Sequence, residues 1–264
     1  MRQVLTLCAA LAAAPALADP LDAVVRLSVL PGWQTGDGRH MAALALDLAP
    51  GWKTYWRAPG DAGIPPEITL ERTENVAKAV FHWPVPEVFD QNGMRSIGYH
   101  DRLVLPLELT LHEDGAAVAV AGIMDIGICN EVCVPAQLSF AADLAPGGRR
   151  DPAIVAALVN RPLSAAEAGV AGATCRIAPT EDGLRVTAVL RVPPAGAGEA
   201  LVIEAGDPGV WVSEPEISRE GDILTAEAEM ISQGGAGFAL DRSAVRFTLL
   251  GSLHAVDIRG CTAP

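Results

Sequence analysis

Cys129 and Cys133 are the residues of this chain best suited to chemistry: two thiols separated by three residues, in the run Gly127-Ile128-Cys129-Asn130-Glu131-Val132-Cys133-Val134-Pro135. Such a pair can close a structural clip, exchange electrons as dithiol and disulfide, or hold a soft metal ion. A clip is disfavoured, because so short a loop removes little entropy from the unfolded chain. Redox exchange is the leading reading, ahead of a clip and of metal binding. Geometry sets a condition on it. Residues four apart in a continuous strand lie about 13 Å from one another, whereas a disulfide needs Cα atoms within about 7 Å. If the two thiols bond, Asn130-Glu131-Val132 must form a tight turn or a single helical turn. Asn130 suits a turn, and Pro135 stops a helix from running on.

The neighbours of the pair shape its chemistry. Glu131 lies between the thiols, Asp125 is near in sequence, and no lysine, arginine or histidine lies within the motif. Carboxylates disfavour a thiolate, which suits a relay that becomes active when a partner docks. Three intervening residues and the lack of a βαβ context set it apart from thioredoxin motifs. Met94 and Met124 could add thioethers to the two sulfurs around Cu(I), so a copper-binding or copper-tolerance role is the alternative function. His82, His100 and His112 have no motif spacing to the cysteines, and zinc would want a second Cys/His pair. No metal site and no cofactor is assigned. Hydrolase, Walker and dinucleotide signatures do not occur.

The elements that must position the pair are strands. Short β-rich runs bounded by Gly, Pro, Asp and Asn span 23–29, 41–48, 67–70, 103–111, 117–124 and 134–141, without alternating helices. This predicts an all-β chain built on antiparallel sandwiches. The pattern breaks between Ala145 and Gly172. Pro146-Gly147-Gly148-Arg149-Arg150 reads as a linker, Asp151-Pro152 as an N-cap with proline at the first helical position, and 153–160 as a short helix ended by Pro162. Strand signals return over 175–177, 184–192, 200–204, 223–230, 245–250 and 255–258, which predicts a second, smaller sandwich.

The N-terminus reads as an export signal over residues 1–18: Arg2, an apolar stretch, then Ala16-Leu17-Ala18 as a cleavage site. Cys8 leaves with it, and four of the five cysteines remain. Four allow three pairings; proximity favours 129–133, which leaves 175–261. Cys175 opens the second segment and Cys261 closes it, so that pair reads as a structural bridge. No later apolar run is long enough to span a bilayer. A formal charge of −13 with only Lys53 and Lys78 as lysines argues against nucleic-acid binding.

Three stretches together resemble the periplasmic N-terminal domain of the thiol:disulfide interchange protein DsbD and of its relative ScsB. They are Gly51-Trp52-Lys53-Thr54-Tyr55-Trp56-Arg57-Ala58-Pro59-Gly60-Asp61-Ala62-Gly63-Ile64-Pro65-Pro66; Trp83-Pro84-Val85-Pro86-Glu87 with Gly98-Tyr99-His100-Asp101-Arg102-Leu103-Val104-Leu105-Pro106; and the cysteine run. The resemblance covers about residues 20–145 and implies an immunoglobulin-like sandwich carrying a redox-active pair, a component of a protein-disulfide reductase. It implies that Cys133 forms the mixed disulfide with partners and that Cys129 resolves it. A cap between Phe89 and Ser96 would shield the pair, with Phe89 or Tyr99 covering the sulfurs.

Trp52, Tyr55 and Trp56 are read as packing residues. The family's longer members continue into a membrane domain and this chain stops at Pro264, so the expected partners are a thioredoxin-like or membrane-embedded electron donor on a separate chain and a periplasmic disulfide isomerase or other thiol acceptor. The expected division is signal 1–18, redox sandwich 19–145, linker with helix 146–173 and second sandwich 174–264. A non-catalytic binding protein with two structural disulfides is the remaining reading.

Overall fold

The computed structural model describes residues 20–61, 63–91, 94–235 and 237–264; the expected signal peptide lies outside them. Among the described residues ten strands precede the helix: β1 Val25–Gln34, β2 Arg39–Leu48, β3 Lys53–Tyr55, β4 Glu67–Glu74, β5 Val76–Phe81, β6 Glu87–Gln91, β7 Met94–His100, β8 Arg102–Leu111, β9 Val118–Cys129 and β10 Cys133–Leu144. They form two antiparallel sheets, ordered β1-β2-β8-β5 and β10-β9-β3-β7-β6, with β4 also paired to β9. Leu44, Leu46, Leu105, Met124, Ile126 and Ile128 fill the space between them. The all-β reading holds. The short strands β3, β5, β6 and β7 were not legible as strands, being brief or broken by polar residues.

Helix α1, Pro152–Val159, begins as expected: Asp151 caps it, accepting from the backbone N–H groups of Ala153 and Ile154. It covers the outer face of the first sheet, where Ile154 packs with Trp33, Met41 and Ala43. That explains why β2 is apolar on both faces rather than alternating. The linker is pinned as well, Gln34 donating its backbone N–H to the Gly147 carbonyl at 2.7 Å. Gly32 sits in the bulge of β1 at φ 64°, where a Cβ would fall 1.7 Å from the Met41 carbonyl oxygen, so only glycine fits.

Nine strands follow the helix among the described residues: β11 Leu163–Ser164, β12 Gly172–Pro179, β13 Leu184–Arg191, β14 Ala200–Glu204, β15 Val210–Val212, β16 Glu216–Glu220, β17 Ile223–Ser232, β18 Arg246–Leu250 and β19 Ala255–Arg259. Their sheets are ordered β11-β19-β18-β14 and β12-β13-β17-β15, with β16 on β17. The bridge between Cys175 on β12 and Cys261, Cα atoms 5.7 Å apart, ties the start of this second sandwich to its end. Among the described residues no helix is long and apolar enough to cross a membrane.

A disulfide at a hairpin tip and its neighbours

Cys129 ends β9 and Cys133 begins β10, and the two are directly opposite in the ladder. Asn130-Glu131-Val132 makes the turn between them, closed by the Asn130 N–H on the Val132 carbonyl at 3.2 Å. The Cα atoms are 4.1 Å apart and the sulfurs are bonded. The tight turn that the spacing demanded is therefore a hairpin loop. The two sulfur-bearing residues differ in access: Cys129 is 1% exposed, whereas Cys133 lies on the surface.

Alternation along the strands sorts the neighbours by face. Lys53 on β3 is opposite Cys129 on one side and His100 of β7 on the other. His100, Lys53, Cys129 and Cys133 thus form one row across four strands. Tyr55, two residues on from Lys53, shares that face. Its hydroxyl lies 2.9 Å from Cys129 Sγ and 3.2 Å from Cys133 Sγ. A bonded disulfide carries no proton, so the tyrosine donates.

Burial pushes the Tyr55 pKa above its usual value, keeping the proton on the oxygen where thiols titrate. Two features seat the ring. Thr54 donates its hydroxyl to the Gly127 carbonyl at 3.0 Å, and Gly127 leaves room, since a Cβ there would stand 3.0 Å from the ring carbon Cε2.

The packing reading survives for Trp56, which is fully buried, but Tyr55 is in bonding contact with both sulfurs. Its one clue in the sequence was its place two residues after Lys53, which has meaning only once β3 is known to lie beside β9. Lys53 was missed for the same reason. It is 7% exposed, donates to Ser96 Oγ at 3.1 Å, and its ammonium stands 4.9 Å from the centroid of the Phe89 ring. Burial lowers its pKa.

The expected cap is the end of the β6–β7 hairpin; Asn92 and Gly93 lie outside the described residues. Phe89 shares the face of the cysteines, being opposite Ser96, and meets His100 edge to face at 6.4 Å. A shallow cleft of about 440 Å³ opens there between Lys53, Val88, Phe89 and His100. Tyr99 does not cover the sulfurs, a correction that follows from the same alternation. It points into the sandwich, 7% exposed, donating to the Pro84 carbonyl at 2.8 Å and stacking on Trp83. Met124 is likewise a core residue on the opposite face of β9 from the pair, so its thioether is not available to the sulfurs. Cys175 and Cys261 belong to the other sandwich.

Residues 24–145 match the family described as thiol:disulfide interchange protein DsbD, N-terminal. Among solved structures, the N-terminal periplasmic domain of ScsB from Proteus mirabilis superposes with a TM-score of 0.68 at 23% identity, over 94% of this chain and 96% of that one. The reduced N-terminal domain of DsbD from Neisseria meningitidis gives a TM-score of 0.28 at 16% identity, over 50% of this chain and 92% of that one. No curated protein sequence matches.

Proposed function

We propose that this chain, whose residues 24–145 match the DsbD N-terminal family, is a periplasmic thiol:disulfide exchange module that relays electrons from a membrane reductant to disulfide-bearing proteins. In the reduced protein the Cys133 thiolate attacks one sulfur of a partner disulfide, and the partner's other sulfur leaves as a thiolate. Cys129 then attacks Cys133 Sγ, which releases the partner as a dithiol and leaves the 129–133 bond. Two electrons have passed to the partner, and a dithiol donor restores the pair. Tyr55 stabilises whichever sulfur is anionic through its hydroxyl.

The observation that carries this reading is the unequal access of two bonded sulfurs at a hairpin tip. The exposed one is open to attack on a partner, and the buried one is held back to resolve. Export through residues 1–18 with cleavage after Ala18 belongs to the same reading. So does the division into a redox sandwich 19–145, a linker 146–173 and a second sandwich 174–264.

Trapping tests it. The variant Cys129→Ala, mixed with periplasmic extract, should accumulate disulfide adducts through Cys133 that vanish on reduction. If no adduct forms, the exchange reading is lost.

A further inference from the structure

The second sandwich reaches the exchange site through β3. Immediately after Tyr55, Trp56 is fully buried, and Arg57 reaches across to the second sandwich. The Arg57 guanidinium stacks over the Trp56 ring, 3.9 Å from its centroid. It then forks onto Glu204 of β14, Nε to Oε1 at 3.1 Å and Nη2 to Oε2 at 2.9 Å, and Nη2 also donates to the fully buried Thr248 hydroxyl of β18 at 3.3 Å. The side chain is 13% exposed and Glu204 22%. Apolar packing is continuous at the same place: Trp56, Ile97 and Tyr99 share one cluster with Ala200, Val202, Leu250 and Ala255 of the second sandwich. A second ion pair, Arg95 of β7 with Glu214 at 2.6 Å, holds the cap hairpin to that sandwich too.

We propose that Arg57 is a positioning residue for the exchange reaction: clamped by Glu204 and Thr248, it fixes the Tyr55 hydroxyl against the two sulfurs, so that the second sandwich is a working part of the site. This rests on the exchange reading and adds to it a role for residues 174–264.

Two peptide units separate Tyr55 from Arg57, a span of about 7 Å. The residue between them is locked under the guanidinium and cannot absorb a shift. A bidentate arginine–carboxylate pair that is largely buried has a narrow geometry, which lysine does not reproduce. Hydrogen bonds to sulfur depend steeply on distance and angle. Loosening the clamp therefore weakens the Tyr55 contact although every side chain that touches sulfur is still present.

The test uses the full chain with the 129–133 pair reduced, following iodoacetamide alkylation of Cys133 against pH by mass spectrometry, beside a thermal melt of each variant. Arg57→Lys and Glu204→Gln should move the pH profile in the direction that Tyr55→Phe moves it, changing the rate near neutral pH about twofold or more. Combined with Tyr55→Phe they should add nothing, because the contact they position is already gone. Arg185→Lys, in an ion pair remote from the site, should leave the profile alone. Thr248→Val, which removes a single bond of the clamp, serves if either substitution of the charged pair prevents folding.

A lowered melting temperature with an unchanged profile would make the clamp purely structural and overturn the proposal, as would full additivity with Tyr55→Phe. Alkylation needs no protein partner. A chain that traps no adduct yet shows the coupled profile loses the exchange reading and keeps only the coupling of the Arg57 clamp to Tyr55 and the sulfurs; one that traps adducts with an unchanged profile keeps the exchange reading and loses the clamp.

Discussion

Tyr55 contributes one hydroxyl to two sulfurs, and the value of that contact depends on redox state. To a disulfide it is a weak bond, because bonded sulfur is a poor acceptor. To a thiolate it is a charge-assisted bond, worth about 1.5–3 kcal/mol. Tyr55 thus offsets the acidic setting of Glu131 and Asp125, which on sequence alone disfavours a thiolate. Replacing it with phenylalanine keeps the ring that packs beside Gly127 and removes only the donor. The reduced pair in Tyr55→Phe should titrate about one unit higher, seen as an upward shift in the pH midpoint of Cys133 alkylation. An unmoved midpoint would show that the hydroxyl does not stabilise the thiolate.

Strand β2 carries a pH dependence of its own. His40 is 1% exposed, with Nε2 on the Pro31 carbonyl at 2.6 Å and Nδ1 buried without a partner. The neutral ring donates through Nε2, and a second proton would place charge at Nδ1 where no acceptor waits. Burial accordingly lowers the His40 pKa below 6.5.

The sign follows directly. As pH falls through 6.5 the unfolded chain takes up a proton that the folded chain refuses, so stability declines until the folded pKa is reached. Above 6.5 the residue is neutral in both states and has no effect. Melting curves of wild type and His40→Gln between pH 8 and 4 should therefore run parallel above about 6.5 and converge below it. Parallel curves over the whole range would place the acid sensitivity elsewhere. Helix α1 offers the complementary case, in which local signals suffice: Asp151 and Pro152 set its start, and Ile154 decides the face it buries.

The two sandwiches are closed in different ways, and stability reflects it. The bridge from Cys175 to Cys261 spans 86 residues, for which the chain-entropy account gives about 4 kcal/mol, against little for the four-residue span at the hairpin tip. Removing it as Cys175→Ala with Cys261→Ala should lower the denaturant midpoint strongly, while reducing 129–133 alone should barely move it. Equal effects would contradict the division of labour between the two bridges.

The residue types and local spacing were enough to mark the thiol pair, to require a turn at Asn130 to Val132, to place the capped helix after the linker, and to give an all-β chain. Each of these depends on contacts within a few residues. Sequence did not reveal that Tyr55 would meet a sulfur 74 positions away, that Lys53 would stand opposite Cys129, or that Arg57 would cross 147 positions to Glu204. Those neighbours follow from which strands pair and in what register. That choice is made by two sheets burying their apolar faces together, a condition on the folded chain as a whole that no local preference encodes.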